Sequence, residues 1–311
     1  MQSVEIVGDN VDGDFDGVAN ELTIGDQTAL AVYLAAQPRP TTLLELNALD
    51  LLDPPLTIDQ KDAIVRGRQL FQDIGCGSCH VPSLTVNNRI FSEPSQNPAF
   101  RDGDAFPAGQ NPAARGVDPR FPITFDLTRD QPDNHIRRPD GSTFNLGAFR
   151  RDSNGRAVVE LYGDLKRHVM GPRLAESVNE IAGDDVTPIP NNPRNRHAPD
   201  TFLTENLWGV GSTAPYMHDG RATTLTEAIL EHGNGASDDT SEAAPARRRF
   251  LERSTFEKKA LSAFLDNLVL FKIEEEEVPS ALSALAPTTT SGGRQVVKIK
   301  PRGVGIRLPQ D

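Results

Sequence analysis

Cys76 and Cys79 are separated by two residues and followed directly by His80. A Cys-x-x-Cys-His run, here called the CxxCH motif, is the attachment signature of a c-type haem: both thiols bond to the porphyrin and the histidine binds the iron. The alternatives are a disulfide, a zinc half-site and a thioredoxin-like redox pair. The chain has only these 2 cysteines, so a zinc site would lack further thiolates. A redox pair would follow a strand, whereas a helix is predicted here. We expect one covalent haem c, with His80 as the proximal iron ligand.

The second axial ligand decides whether such an iron carries electrons or reacts with small molecules such as peroxide. Apart from Met1, the methionines are Met170 and Met217. A thioether ligand raises the reduction potential, although an isolated methionine more often packs in a core. Met170 lies in a polar stretch without apolar periodicity, so we expect it to be the distal ligand. The competitors, each with a packing or surface role as its alternative, are Met217, His168, His197 and His218.

Acidic residues also alternate near the start of the chain, at Asp12, Asp14 and Asp16. An EF-hand-type calcium loop begins in this way, with a glycine next and then a backbone carbonyl, here that of Val18. The bidentate glutamate that ends such a loop is replaced by Thr23, and Glu21 and Asp26 are the candidates to substitute for it. We expect a structural Ca²⁺ at these residues, and a solvated acidic turn is the alternative.

A helix is predicted directly before the CxxCH motif. Thr57 begins a capping box, and apolar residues then recur at helical spacing up to Gly75. This helix would deliver the chain into the motif, and Gly67 on it would let another helix approach closely.

Two further helices are predicted, over residues 225–232 behind a second capping box and over about 254–271. We expect the last helix to pack on the helix before the motif, as first and last helices do in small c-type cytochromes. The stretch 82–158 is rich in Pro, Gly, Asn and Asp, which predicts long loops with one or two short hairpins. The expected fold class is mainly α, a cytochrome-c-like haem domain with long irregular loops and few short strands.

These elements suggest three regions. Residues 1–55 form an acidic segment with a short helix and a Pro-rich linker. Residues 56–272 form the haem domain, which contains the loop insertion 82–158. Residues 273–311 form a tail with an acidic block and a later basic stretch. We expect this tail to be mobile or to dock on a partner in a larger assembly, and plain disorder is the alternative.

Composition limits the classes of partner. The formal net charge is −12 with pI near 5.0, which argues against nucleic acid or an anionic membrane and suits a basic redox protein. No apolar run is long enough for a transmembrane segment. Only 37% of residues are hydrophobic, so a buried porphyrin would add needed apolar material to the core. Haem attachment takes place outside the cytoplasmic membrane, so we expect a periplasmic or extracellular location.

Three stretches together carry a family resemblance. They are Ile-Gly-Cys-x-x-Cys-His-x-Pro at 74–82, Asp-Leu-Lys-Arg-His-x-Met-Gly at 164–171, and Leu-Trp-Gly-Val-Gly continuing through Ala-Pro-Tyr-Met-His-Asp-Gly-Arg to the glycine at 233. The chain resembles the bacterial di-haem oxidoreductases, relatives of the di-haem cytochrome c peroxidases, over about residues 10–270. This resemblance implies an all-helical, cytochrome-c-like domain, a structural Ca²⁺ in some members, and a periplasmic or secreted location.

The chain departs from that family in one respect that bears on function. Members carry two haems, one open to peroxide and one that relays electrons, whereas the single motif here matches the C-terminal, electron-relay domain. Val169 also replaces an aspartate that relatives often have before the methionine. We therefore expect an electron carrier. The alternatives are a peroxidase assisted by His218 or His168, and a subunit of a larger multihaem assembly.

The remaining candidates surround the expected haem. A guanidinium pairs well with a propionate carboxylate, and an indole ring stacks on a porphyrin. On these grounds we expect pocket roles for Arg167, Arg173, Arg221 and Trp208. For each of them, a solvated charge or core packing is the alternative.

Overall fold

The computed structural model describes residues 24–37, 39–52, 54–97, 118–129, 136–137, 143–144, 147–175, 200–233, 240–269, 271–274 and 298–301. The residues predicted to bind calcium, Asp12, Asp14, Asp16 and Val18, lie outside these ranges, as does His197.

Six α-helices lie in the described ranges, and capping boxes begin three of them, at Thr57, Thr224 and Ser254. In each box the cap hydroxyl accepts a backbone N–H three residues on, and the side chain there accepts the N–H of the cap residue. The two boxes predicted from sequence are thereby confirmed. The helices are α1 Ile24–Ala35, α2 Leu43–Ala48, α3 Ile58–Ile74, α4 Leu225–Glu231, α5 Ala244–Leu251 and α6 Thr255–Asp266.

Short strands are more frequent than expected, and the prediction of a mainly α fold is wrong. The described chain is mixed α/β, with small antiparallel sheets beside the helices. The strands are β1 Thr41–Thr42, β2 Leu84–Val86, β3 Ile90–Glu93, β4 Ile123–Asp126, β5 Ile136–Arg137, β6 Thr143–Phe144, β7 Arg150–Arg151, β8 Ala157–Val159, β9 Arg167–Val169, β10 Thr201–Leu203, β11 Leu268–Val269, β12 Phe271–Glu274 and β13 Lys298–Pro301.

The region predicted to form loops holds most of these strands. β3 pairs with β4, and the rings of Phe91 and Phe125 stack across the pair with centroids 4.9 Å apart. β8 pairs with both β2 and β7. Cross-strand contacts between aromatic and β-branched side chains stabilise these short pairs. Because the connections between these strands are rich in Pro and Gly, the local sequence pattern predicted loops here and did not predict most of the strands.

The end of α6 also differs from the prediction. The helix stops at Asp266, and Asn267, which is buried, accepts the backbone N–H of Leu44 on its side-chain oxygen and that of Leu43 on its carbonyl. These bonds connect the helix end to α2, and β11 then pairs with β1. Further on, β12 and β13 pair antiparallel, so these two short segments at the tail are strands.

α3 and α6 pack closely together, as predicted. A Cβ added to Gly67 would lie 1.9 Å from the carbonyl oxygen of Ala260, so only glycine fits this contact. Phe71, Phe264 and Tyr162 form the adjacent aromatic cluster, with ring centroids 5.3 to 6.0 Å apart. The core of the protein therefore extends from the helix pair to the segment around Tyr162.

None of the helices in the described ranges is long and apolar enough to cross a bilayer.

Candidate functional site

The CxxCH motif borders a cavity of about 720 Å³. Segments 202–218 and 242–249, the end of α3 and one side of α4 form the other walls. Cofactor sites are typically mostly apolar cavities of about 300 to 1,000 Å³ that hold a few placed polar groups. Size and lining agree with that description, since the walls include the apolar side chains Ile74, Leu174, Leu225, Ile229 and Leu265.

α3 positions the motif. Gly75 ends the helix with φ of 98°, a left-handed conformation that favours glycine, and Cys76–Ser78 form a 3₁₀ turn directly after it. The N–H of His80 donates to the carbonyl of Cys76 over 3.0 Å. One tight turn therefore carries both thiols and the imidazole to the cavity wall.

The imidazole of His80 is oriented by the backbone. Nδ1 lies 3.1 Å from the carbonyl oxygen of Tyr162. Because a carbonyl only accepts hydrogen bonds, we assign the ring proton to Nδ1, which leaves the lone pair on Nε2. Burial, then the nearby His232, lower the pKa of His80 to about 4, although the carbonyls of Tyr162 and Glu205 oppose this. The ring is neutral at physiological pH and its Nε2 is a competent metal ligand.

Both cysteines are free thiols, so they do not form a disulfide with each other. Burial raises the pKa of Cys76 to about 11 and is also the main cause that raises the pKa of Cys79. Thiols of this kind are poor nucleophiles at neutral pH, unlike those of a redox pair. In the described ranges, no group of three or more His, Cys, Asp or Glu side chains is placed to hold a metal ion. The zinc and redox alternatives therefore gain no support.

Every described candidate for the distal ligand lines the same cavity: Met170, Met217, His168 and His218. Met170 follows β9, and its backbone N–H donates to the carbonyl of Asp200 over 2.7 Å. Met217 has φ of 71°, and the ring of His218 stacks on Phe202 with centroids 4.5 Å apart.

His168 is the candidate least suited to bind iron. Its Nδ1 lies 2.7 Å from a carboxylate oxygen of Glu242, and its Nε2 lies 3.0 Å from one of Asp164. The hydrogen bond to Glu242 is the main cause that raises the pKa of His168, and Asp164 adds to it against the effect of burial. An imidazolium held on both sides has no lone pair for a metal. This bridge instead joins β9 to the segment before α5, beside Met170.

The arginines expected around the haem lie elsewhere. Arg221 donates to Asp219 over 2.6 Å and to the carbonyl of Arg173 over 2.9 Å, and Arg173 in turn donates to Glu231 over 2.8 Å. Neither of them, nor the exposed Arg167, is among the described residues that line the cavity.

Trp208 does line the cavity. Its indole N–H donates to the carbonyl of Glu160 over 2.9 Å, which fixes the orientation of the ring. Tryptophan is a donor only, so this single bond satisfies its polar group and leaves the ring as an apolar wall.

Three cavity residues were missed by the sequence analysis. His232 is half-buried, with its Nδ1 2.6 Å from the carbonyl of Ala228 and its ring centroid 6.2 Å from that of His80. Arg247 and Arg249, on α5, also line the cavity. His232 ends an otherwise ordinary helix, and the arginines belong to a run of three that reads as a solvated helix face. No sequence signal distinguishes them.

Comparisons of the chain with protein-family models, with curated proteins and with solved structures found no match. The resemblance to the di-haem oxidoreductases stays a prediction based on the three stretches quoted above. Assignment of the cavity therefore depends on the chemistry of its residues.

Proposed function

We propose that this protein is a c-type cytochrome that binds one covalent haem c and carries electrons. The observation that supports it best is the arrangement of the CxxCH motif. Two free thiols and a neutral imidazole that is protonated on Nδ1 lie on one turn, at the wall of a mostly apolar cavity of about 720 Å³. This donor set and this cavity fit a thioether-linked porphyrin.

In this proposal Cys76 and Cys79 anchor the haem, His80 is the proximal ligand and Met170 the distal one. When bound, the haem supplies reversible one-electron chemistry at its iron. The chain contributes the rest: the Tyr162 carbonyl orients His80, apolar walls exclude water, and a thioether ligand favours the reduced iron.

A peroxidase would need an open iron and an acid–base group close to it. His168 meets that need poorly, because both its ring nitrogens already bind carboxylates. A peroxidase would therefore have to use His218, whose ring lines the cavity and stacks on Phe202.

The same proposal includes family and location. The chain would be a relative of the di-haem oxidoreductases that corresponds to their electron-relay domain, and it would act in the periplasm or outside the cell. With its net charge of −12, electrostatic attraction would favour a basic redox partner.

The test is expression of the full chain with a haem-attachment system, followed by intact-mass measurement and visible spectra of the ferric and ferrous forms. We expect the added mass of one haem and, in the ferric protein, the weak red-edge band of a methionine–iron bond. Met170→Ala should abolish that band, whereas Met217→Ala, the matched control at the same cavity, should retain it. Absence of the added mass, or high-spin ferric iron with rapid peroxide turnover, would overturn the proposal.

A further inference from the structure

Among the described residues that line the cavity, two carry a permanently cationic side chain, and these are Arg247 and Arg249. Both lie on α5, where Arg247 is half-buried and Arg249 is exposed. Neither forms an ion pair with a carboxylate of the described residues. They contrast with Arg173 and Arg221, each of which is paired with an acidic side chain.

Each of the two guanidinium groups is held in place by one hydrogen bond from Nε. Arg249 donates over 2.6 Å to the carbonyl of Ile74, the last residue of α3. Arg247 donates over 2.8 Å to the carbonyl of Leu230, in the last turn of α4. The last carbonyls of a helix lack partners within the helix and carry partial negative charge, so both bonds satisfy groups that need a donor.

These bonds leave the end of each guanidinium available. With Nε engaged, the N–H groups of Nη1 and Nη2 form a planar pair that matches the two oxygens of a carboxylate. A cation at an apolar wall is stabilised when an anion pairs with it. The described cavity lining holds two acidic residues, Glu205 and Glu242. Glu242 already binds His168 and the backbone N–H of Val169, and Glu205 forms no ion pair with either arginine.

We propose that Arg247 and Arg249 bind the two propionate carboxylates of the haem, an inference that depends on the proposed cytochrome function. The number of unpaired cations equals the number of propionates that a haem carries. Two arginines fixed by the ends of α3 and α4 would orient the cofactor as well as bind it. Their positive charge would also favour the ferrous over the ferric iron and so raise the reduction potential.

The test measures the midpoint potential as a function of pH for the full haem-loaded chain and five variants. Arg247→Gln and Arg249→Gln each remove one cation. Arg247→Lys and Arg249→Lys keep the positive charge but lose the planar pair of N–H groups. Arg248→Gln is the control, because it removes the same charge from the same helix. Arg248 does not line the cavity. Haem content by mass and the melting temperature are recorded for each.

We expect full haem content in every protein and a lower potential in both glutamine variants. The midpoint potential changes with pH around the pKa of each propionate, and this change is here called the pH-dependent step. An adjacent arginine lowers the pKa of a carboxylate by about 1 to 3 units. Removal of the arginine should therefore move the step to a higher pH, by about one unit or more. The lysine variants should retain most of the potential, with a smaller shift of the step. Arg248→Gln should leave the step where it is in the unaltered protein.

The outcomes distinguish this inference from the proposed function. A chain without haem overturns both. Loaded glutamine variants with an unchanged pH profile overturn only the propionate assignment, and a lower melting temperature alone would then reveal a purely structural helix-capping role. If the glutamine variants do not load, the lysine variants decide: a shifted step supports propionate binding, and an unshifted one refutes it.

Discussion

The Nδ1 atom of His80 lies 3.1 Å from the carbonyl oxygen of Tyr162, 82 residues further along the chain. Tyr162 is buried and packs edge-on against Phe71 with ring centroids 6.0 Å apart. The aromatic cluster between α3 and α6 therefore fixes the backbone group that orients the histidine. Core packing and the geometry of the proposed iron ligand are coupled through one residue.

Tyr162→Ala should destabilise the protein and disturb His80 together. Removal of a buried aromatic side chain lowers the free energy of unfolding by about 3 kcal/mol or more. Without the ring, the backbone carbonyl of residue 162, which orients His80, would lose its fixed position. Tyr162→Phe retains the ring and should cost less than about 1 kcal/mol. Urea unfolding gives the stabilities and visible spectra report the haem environment. Equal stabilities of the two variants would show that the ring does not contribute packing energy.

Gly67→Ala should be among the most destabilising small substitutions. Its Cβ would lie 1.9 Å from the Ala260 carbonyl oxygen, so α3 and α6 would have to separate at a cost of about 3 kcal/mol. Gly155→Ala is the matched control. No atom lies within 4 Å of its added Cβ, and its φ of 77° adds strain of about 1 kcal/mol. Thermal unfolding compares them, and a larger loss at Gly155 would contradict the packing geometry.

Local signals predicted the elements around the motif well. Thr57 and Gly75 mark the ends of α3 through a capping box and a left-handed cap, both of which involve only near neighbours. The close contact at Gly67 was also predictable, because a glycine at a helical position that faces a partner leaves room for a neighbouring backbone.

The strands and the cavity arginines were not predictable for a shared physical reason. β2 pairs with β8 across more than seventy residues, and Arg249 reaches the end of α3 from α5. Such contacts depend on tertiary structure, which local pattern does not encode. Arg221 illustrates the reverse case. Its neighbour Asp219 satisfies it locally, so its charge is not available to the cavity.

Glu242→Gln should weaken the proposed methionine ligation. Glu242 accepts the N–H of Val169 over 3.0 Å and binds His168, and both contacts hold β9 beside Met170. The Glu242 side chain is 50% exposed, so solvent screens the pair and the stability loss should be below about 1 kcal/mol. The readout is the pH or temperature at which the red-edge band disappears, which should fall.

Glu231→Gln is the control for that variant. It removes the exposed ion pair with Arg173, away from the described cavity lining. The band should then disappear under the same conditions as in the unaltered protein. If Glu242→Gln and Glu231→Gln lower the pH or temperature at which the band disappears by the same amount, the effect is one of lost charge in general. Glu242 would then have no specific role in positioning β9.

Acid stability should depend on Asp126. Burial raises the pKa of this carboxyl, but hydrogen bonds from Thr128 and Arg89 outweigh it and lower the pKa to about 2, from 3.8 for the free group. The folded state therefore binds the proton more weakly than the unfolded state does. The stabilisation is complete above about pH 4 and is lost as the pH falls towards about 2.

Asp126→Asn removes this titration and the charged contacts to Arg89 and Arg151, which lie 3.0 and 3.2 Å away. We expect a loss on the order of 1 kcal/mol at neutral pH that shrinks towards pH 2. The control is Asp73→Asn, which removes the same charge from an exposed position on α3. Urea unfolding from pH 7 to about pH 2 measures the difference between the variants. The pKa of Asp126 is lower in the folded than in the unfolded state. The Asp126 contacts therefore require that the difference in free energy of unfolding between Asp126→Asn and the unaltered protein becomes smaller as the pH falls.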